Sequence, residues 1–197
     1  MAKLYFRFGT VGSAKTLNLL AVAHNYRQQG KKVLLLKPQL DDRFGLNSIK
    51  SRAGLEMSAD ILVNDRSDLF ELPLTDVQCI LVDEAQFLSA KHIDQLRIIT
   101  QKLDVPVICY GLRTDFRTHL FEGTKRLLEL SDSIEEVKAT CHFCNRKSIV
   151  NLRHVNGIAV VDGPTVQLGT EDVYYPCCYS CYTQEIAKAN EMAVAGV

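Results

Sequence analysis

The sequence predicts an α/β protein in which helices flank a parallel sheet, followed by a small cysteine-rich unit. Short apolar runs alternate with helical patterns over the first part of the chain. The runs at 33–36 and 79–82 are continuously apolar, which is typical of strands covered on both faces. Five of the seven cysteines lie in the last third of the chain, where the composition changes. We therefore expect two units, residues 1–137 and residues 138–197.

The composition argues against several classes of function. Lysine plus arginine equals aspartate plus glutamate at 23 each, so no excess of positive charge indicates binding to nucleic acid or to a membrane surface. No apolar run reaches the roughly 18 residues of a membrane span, and the first residues lack the pattern of a signal peptide. We expect a cytoplasmic protein, in which clustered cysteines favour a metal over disulfides.

A glycine-containing loop follows the first predicted strand. The apolar run 4–8 leads into Gly-Thr-Val-Gly-Ser-Ala-Lys-Thr at 9–16, and a helical pattern follows. In this context the backbone N–H groups form a nest for a polyphosphate. Lys15 would reach the β- and γ-phosphates, and the Thr16 hydroxyl would bind Mg²⁺. Ala14 departs from the usual glycine, and its Cβ lies where the backbone and the phosphate come closest.

Carboxylates follow two of the predicted strands. Asp83 and Glu84 end the apolar run 79–82, at the sheet edge where the phosphate loop also lies. Asp83 is suited to hold Mg²⁺, and Glu84 to act as a general base on a bound hydroxyl or water. The Asp-Asp-Arg-Phe cluster at 41–44 follows the second strand, and its position fits either a ligand site or a solvated turn.

Helical spacing predicts three helices in the first unit. The first spans 16–29, where Leu17, Leu20, Ala21 and His24 fall at helical spacing, with Leu19, Ala23 and Tyr26 alongside. A second begins after Ser89, a good N-cap residue, and a third spans 122–130. Between 47 and 76 the sequence is irregular, and we expect one strand and one helix joined by loops. A further strand at 105–110 leads into a segment whose aromatic rings and guanidinium groups are suited to a planar ligand.

Two Cys-x-x-Cys pairs predict a metal site in the second unit. Four cysteines in two such pairs suit a closed tetrahedral zinc site in a small ribbon, and their positions are Cys141, Cys144, Cys178 and Cys181. Zinc would stabilise a unit too small to build a large core. Cys177 is a rival ligand to Cys178, and His142 is a further one. A site closed by four thiolates has no open coordination position, so its role would be structural.

These motifs together resemble a known family. The phosphate loop, Asp-Glu-Ala-Gln-Phe at 83–87, Tyr-Gly-Leu-Arg-Thr-Asp-Phe at 110–116 and the paired cysteines occur in this order over nearly the whole chain. They resemble the zinc-containing type II thymidine kinases. The resemblance implies a RecA-like P-loop domain and a zinc-held lasso that closes over the nucleoside. It also implies transfer of the γ-phosphate of ATP to the 5′-hydroxyl of thymidine, a homotetramer, and dTTP as a feedback inhibitor.

The resemblance also assigns roles to individual residues. Glu84 is implied as the proton acceptor, with Lys15 and Arg43 as the catalytic cations. The residues implied to bind ATP and its metal are Gly9, Thr10, Val11, Gly12, Ser13, Ala14, Lys15, Thr16, Asp41, Asp83, Glu84, Ala85 and Gln86. The residues implied to bind thymidine are Val11, Leu112, Phe116, Phe121, Leu168, Gly169, Thr170, Glu171 and Tyr174.

Two departures and two alternatives accompany this hypothesis. Ala14 replaces a glycine of the phosphate loop, and the lasso lacks the glycine pair that many relatives carry at 168–171. A P-loop ATPase acting on nucleic acid is the main alternative, because Asp-Glu-Ala-Gln also suits a glutamate that activates water. A zinc-ribbon binding module with a decayed phosphate loop is the other.

Overall fold

The computed structural model describes residues 1–43, 45–163 and 172–195. In chain order the strands are β1 (Leu4–Phe8), β2 (Lys32–Pro38), β3 (Ser48–Lys50), β4 (Glu56–Ser58), β5 (Ile61–Val63), β6 (Val77–Val82), β7 (Val107–Gly111), β8 (Ser133–Glu136), β9 (Val150–Val155), β10 (Ile158–Val160) and β11 (Asp172–Cys177). The helices are α1 (Lys15–Gln28), α2 (Ala90–Leu103), α3 (Glu122–Leu130) and α4 (Tyr179–Ala195). None of the helices in these ranges is long and apolar enough to cross a membrane.

Six parallel strands form the central sheet, in the order β5-β2-β6-β7-β1-β8. Helices cover both faces, because alternate residues of each central strand point into different cores. In β6, Ile80 and Val82 pack with α2 and α3, whereas Cys79 and Leu81 pack with α1. The prediction of a parallel sheet flanked by helices is confirmed.

The predicted positions of the helices along the chain agree with the structure better than the predicted packing faces do. Ser89 caps α2 by accepting a hydrogen bond from the His92 N–H, as expected for this residue type. In α1 the predicted packing face is confirmed at Leu20 and wrong at Ala21 and His24. Its buried residues include Leu19, Leu20 and Ala23, while Ala21 and His24 are exposed. The apolar residues of this helix surround more than one face, so spacing alone did not fix which face meets the sheet.

The segment between β2 and β6 differs most from expectation. The strand predicted there is present as the short β5, but the helix is only a 3₁₀ turn at Leu69–Glu71. An antiparallel hairpin of β3 and β4, which the sequence analysis did not predict, precedes both. Its strands have three residues each, too few for an alternating pattern to stand out.

The cysteine-rich part of the chain contains a second, antiparallel sheet. Its strand order is β10-β9-β11, and we call these three strands, together with residues 148–149 that lead into β9, the ribbon. The ribbon has its own small core, in which Val150 and Leu152 pack with Cys177 and Tyr182. The Val137 N–H donates to the Phe8 carbonyl oxygen at 2.7 Å, so the chain leaves the parallel sheet next to the phosphate loop.

Candidate active site

The phosphate loop (residues 9–16) connects β1 directly to α1. A Cβ at Gly9 would lie 2.4 Å from Ser13 Oγ and 2.5 Å from the Val137 carbonyl oxygen, so this position requires glycine. Gly12 adopts φ +73°, a left-handed conformation that also favours glycine. Gly12 and Ala14 both have positive φ, the left-handed backbone conformation that occurs in anion-binding nests.

Ala14 is the strained residue of the phosphate loop. It has φ 64° and ψ 23°, and it immediately precedes the first residue of α1. Alanine is disfavoured in this region because its Cβ crowds the following carbonyl group, at a cost of about 1–2 kcal/mol. The departure seen in the sequence therefore has a structural cost of its own, in addition to any effect on a ligand.

Lys15 is folded onto its own loop. Its Nζ donates to the Thr10 carbonyl oxygen at 2.7 Å and to Ser13 Oγ at 3.3 Å. Burial lowers the pKa of this ammonium to about 8, although the charges of Glu84 and Asp83 act to raise it. Among the described residues no carboxylate forms an ion pair with Lys15, so this buried cation is well suited to gain a polyanionic partner.

Thr16 and Asp83 are in contact, as expected of two residues that share a metal. The Thr16 hydroxyl donates to the Asp83 carboxylate, at 3.2 Å to Oδ2 and 3.3 Å to Oδ1. Burial and, second to it, the neighbouring Glu84 charge raise the pKa of Asp83 to about 7. Mg²⁺ prefers hard oxygen ligands, and a buried carboxylate next to a hydroxyl provides such ligands.

A chain of charged groups connects Glu84 to β2. Arg43 donates from Nη2 to Glu84 Oε1 and from Nε to Asp41 Oδ1, both at 2.5 Å. Gln86 Nε2 donates to the other Glu84 oxygen at 2.5 Å, and the buried Lys37 lies 3.4 Å from Asp41 Oδ2. Although burial opposes it, Arg43 and Lys37 hold the pKa of Asp41 below its usual range.

One cavity of about 390 Å³ joins these groups. Residues from the phosphate loop, the 41–43 segment, the β3–β4 hairpin and the end of β6 line it. They are Val11, Gly12, Ser13, Ala14, Lys15, Thr16, Leu17, Asp41, Arg43, Ser48, Ile49, Lys50, Ser51, Arg52, Ala53, Asp83, Glu84 and Leu112. The cavity thus brings together the charged residues predicted for ATP and two residues, Val11 and Leu112, predicted for the nucleoside.

Some predicted residues lie beside this cavity and shape it indirectly. Ala85 and Gln86 are buried, and Gln86 Oε1 accepts a hydrogen bond from the Leu112 N–H at 3.0 Å. With its two amide contacts, Gln86 fixes Glu84 relative to Leu112. The backbone of Glu84 is itself left-handed, with φ 48° and ψ 39°. Strained residues of this kind cluster at functional sites.

The residues predicted to grip the base fall into two groups. Phe116 and Tyr174 form an edge-to-face pair with ring centroids 6.4 Å apart, and the Arg153 guanidinium lies 5.1 Å from the Phe116 ring. Phe121 instead packs edge-on against Phe87 at 5.6 Å. The four remaining predicted residues, 168–171, lie outside the residues that the structure describes.

The ribbon contacts the phosphate loop directly. Ser148 Oγ and Thr10 Oγ1 are 2.8 Å apart, and the Val11 N–H donates to Asn151 Oδ1 at 2.8 Å. Ser148 and Asn151 are both buried. Because the cysteine cluster and these polar contacts belong to the same small unit, its fold also sets the position of the phosphate loop.

The four cysteines of the two Cys-x-x-Cys pairs converge. The Sγ atoms of Cys141, Cys144, Cys178 and Cys181 all lie within 4.8 Å of one another. A tetrahedron with Zn–S bonds of about 2.3 Å places its sulfurs roughly 3.8 Å apart. Burial opposes ionisation of Cys141, but backbone N–H groups around its sulfur lower its pKa to about 6, and zinc binds the thiolate. The donor set therefore fits structural zinc.

Neither rival zinc ligand belongs to this cluster. Cys177 is buried in the ribbon core, and burial raises the pKa of its thiol. His142 stacks on Tyr175, with ring centroids 4.3 Å apart. The choice between Cys177 and Cys178, which spacing left open, is thus decided geometrically in favour of Cys178.

The sequence analysis missed four polar residues around the site. Arg52 reaches the cavity from the β3–β4 hairpin, Ser148 and Asn151 come from the ribbon, and Arg153 lies under the Phe116 ring. Ser-Arg-Ala-Gly at 51–54 is a recognisable turn, but no local pattern connects it to the phosphate loop.

Fold and site together define a P-loop α/β protein with a Cys₄ cluster near its C-terminus. A family model described as thymidine kinase matches residues 2–182. A thymidine kinase from Lactiplantibacillus plantarum is 44% identical over 92% of this chain and 96% of its own length. One from Streptococcus thermophilus is 45% identical over 90% of this chain and 92% of its own. The chain therefore belongs to the thymidine kinase family, as its motifs predicted.

A solved structure of a different kind was also found. It is the Pif1 helicase from Candida albicans, and the superposed region includes 69% of this chain and 36% of the helicase chain, with 11% sequence identity and a TM-score of 0.43. A likeness this weak supports no inference about activity.

Replacing Ala14 with glycine is expected to raise the free energy of unfolding by about 1 kcal/mol, because glycine has no Cβ strain at positive φ. The same substitution at Ala21, exposed within α1, should lower it by about 1 kcal/mol. Urea denaturation measures both. Destabilisation by both substitutions would contradict the left-handed conformation of Ala14.

Zinc content should separate the two adjacent cysteines. Cys178→Ala removes a sulfur of the cluster and is expected to abolish stoichiometric zinc binding. Cys177→Ala changes a buried residue outside the cluster and should keep one zinc per chain. Atomic emission of gel-filtered protein measures the metal. Zinc retained by Cys178→Ala and lost by Cys177→Ala would reverse the assignment.

Proposed function

We propose that this chain transfers the γ-phosphate of ATP to the 5′-hydroxyl of thymidine and so produces dTMP for DNA synthesis. The observation that carries this proposal is the single cavity that joins the phosphate loop, Thr16–Asp83 and Arg43–Glu84 to Val11 and Leu112. Membership of the thymidine kinase family supports the choice of substrate. The proposal includes a RecA-like arrangement of the P-loop unit, with residues 1–137 binding ATP and residues 138–197 closing over the nucleoside.

Phosphate binding rests on the backbone of residues 9–16 and on two cations. Gly12 and Ala14 already have the left-handed backbone of a nest, so we expect little reorganisation of the loop on binding. Lys15 is proposed to move its ammonium from Thr10 O to the β- and γ-phosphates. Arg43 uses only Nε and Nη2 in its two ion pairs, which leaves further N–H donors for the transferred phosphoryl group.

Glu84 is proposed to accept the proton of the 5′-hydroxyl. Each of its oxygens accepts one hydrogen bond, from Arg43 or from Gln86, and a carboxylate oxygen has a second lone pair for the hydroxyl. The two donors hold the carboxylate in one orientation at the cavity wall. Transfer through a loose transition state depends on such positioning more than on bond chemistry, so a fixed base suits the reaction.

Two metal ions are part of the proposal. Thr16 and Asp83 would hold Mg²⁺, with Asp41 close by, and the ion would neutralise negative charge on the phosphates. The four clustered cysteines would hold zinc, whose role is structural because no ligand position stays open. Thiolate ligands require a reducing compartment, in agreement with a cytoplasmic protein.

The nucleoside is proposed to lie between Leu112 and the Phe116–Tyr174 pair, with Val11 at the side of the phosphates. Aromatic faces would grip the pyrimidine ring, and backbone groups of residues 168–171 would read its edge. Phe121 contributes through its packing with Phe87, which follows Gln86. A homotetramer and feedback inhibition by dTTP remain proposals that rest on the family.

The first test measures ADP formed from ATP and Mg²⁺ by the zinc-loaded protein. We expect release of ADP to depend on thymidine, with dTMP as the second product. ATP hydrolysis stimulated by single-stranded DNA, and indifferent to thymidine, would favour the P-loop ATPase instead. Nucleic-acid binding without any turnover would favour the binding module.

Glu84→Gln should lower thymidine-dependent turnover by roughly 10² or more, because the amide cannot accept the proton. ATP affinity should change little, since the amide keeps the shape of the side chain. Steady-state kinetics and ATP titration measure the two effects. Glu71→Gln, an exposed residue of the 3₁₀ turn, is the control and should behave as wild type. Turnover of Glu84→Gln within about threefold of wild type would exclude Glu84 as the base.

A further inference from the structure

The cationic side chains that line the cavity differ in the hydrogen-bond and ion-pair partners that they already have. Arg43 is paired with Asp41 and Glu84, and Lys50 lies 3.4 Å from a carboxylate oxygen of Glu56. Lys15 hydrogen-bonds to its own loop. Within the described ranges Arg52 forms neither a hydrogen bond nor an ion pair, although its side chain lines the same cavity.

Arg52 is carried by a well-anchored turn. The Ser51 N–H donates to the Leu55 carbonyl oxygen at 2.8 Å, and the Leu55 N–H donates to Ser51 Oγ at 3.1 Å. At the base of the hairpin, Lys37 Nζ donates to the Ser48 carbonyl oxygen at 2.9 Å, and Ile49 is buried. These contacts hold the turn next to the phosphate loop without using the Arg52 side chain.

The direction of the Arg52 side chain is towards the phosphate loop. Its Nη1 lies 3.8 Å from the point that a Cβ on Gly12 would occupy. The Arg52 charge also acts to lower the pKa of Lys15, so the two cations lie near the same part of the site. A P-loop lysine reaches the β- and γ-phosphates, and Arg52 therefore stands near the terminal phosphate rather than the sugar.

The charge balance explains why a further cation is useful here. Asp41, Asp83 and Glu84 are three carboxylates in the cavity wall, and Arg43 is already shared by two of them. A triphosphate adds several negative charges to this site. An arginine without a carboxylate partner can offer two parallel N–H donors to phosphate oxygens at little cost in broken contacts.

We propose that Arg52 binds the terminal phosphate of ATP from the hairpin side and makes the site prefer ATP to ADP. This assignment rests on the proposed function, because it takes ATP as the ligand of the phosphate loop. The β3–β4 hairpin then forms one wall of the cavity, and the γ-phosphate is held between Lys15 and Arg52.

Calorimetric titration with the β,γ-imido analogue of ATP and with ADP, both with Mg²⁺, tests the assignment. Arg52→Ala should weaken binding of the ATP analogue by about 10- to 100-fold, the loss of a charge-assisted contact, and binding of ADP by less than about threefold. Arg52→Lys should be intermediate, because lysine keeps the charge without the two parallel donors. Arg66→Ala removes an exposed arginine away from the cavity and should bind both nucleotides as wild type does.

The two affinities separate a phosphate contact from a structural effect. Equal weakening of both nucleotides by Arg52→Ala would mean that the residue only supports the hairpin, and no weakening would mean that it stays in solvent. Either result overturns the assignment of Arg52. The proposed function would still stand if the wild-type protein shows thymidine-dependent turnover. Wild-type protein that binds neither nucleotide would overturn both.

Discussion

The contact between the ribbon and the phosphate loop is the constraint on which the rest of the site depends. Ser148, two residues before β9, contacts Thr10, and Asn151 in β9 accepts a hydrogen bond from the Val11 N–H. One segment far along the chain thus fixes two consecutive residues of the loop. Thr10 in turn holds Lys15 through its carbonyl oxygen. The four clustered cysteines lie in the same small unit as Ser148 and Asn151. A structural zinc ion held by them would therefore support the loop proposed for phosphate without touching the phosphate.

The second constraint is electrostatic. The buried Asp83 and the partly buried Glu84 at the end of β6 repel one another, and the raised pKa of Asp83 reflects both its burial and the charge of Glu84. Arg43 compensates part of this charge by joining Glu84 to Asp41. The negative charge that Arg43 does not compensate suits a divalent cation, and a polyphosphate can bind together with such a cation. Strain at Ala14 and Glu84 fits the same account, since left-handed residues persist where neighbouring contacts over-determine the backbone.

Local patterns predicted the parts of the molecule that are encoded locally. A strand, a glycine-containing loop and a helix in sequence defined the phosphate loop, and two spaced cysteine pairs defined the metal cluster. The β3–β4 hairpin was missed because its strands are short, and the contacts of Arg52 and Asn151 were missed because they join distant segments. The exposure of His24 shows the same limit, since helical spacing gives a period but not the face that a sheet will cover. The contacts and exposure of these residues are set by tertiary packing between distant segments, which local patterns in one sequence do not reveal.

Isotope labelling distinguishes transfer of the γ-phosphoryl group to thymidine from its transfer to water. The protein would be incubated with thymidine, Mg²⁺ and ATP whose γ-phosphate carries ¹⁸O on its non-bridging oxygens, and the nucleotide product would be weighed by mass spectrometry. We expect dTMP that retains all of the labelled oxygens, with its 5′-oxygen supplied by thymidine. Labelled inorganic phosphate beside unmodified thymidine would contradict it, because the γ-phosphate would then have passed to water.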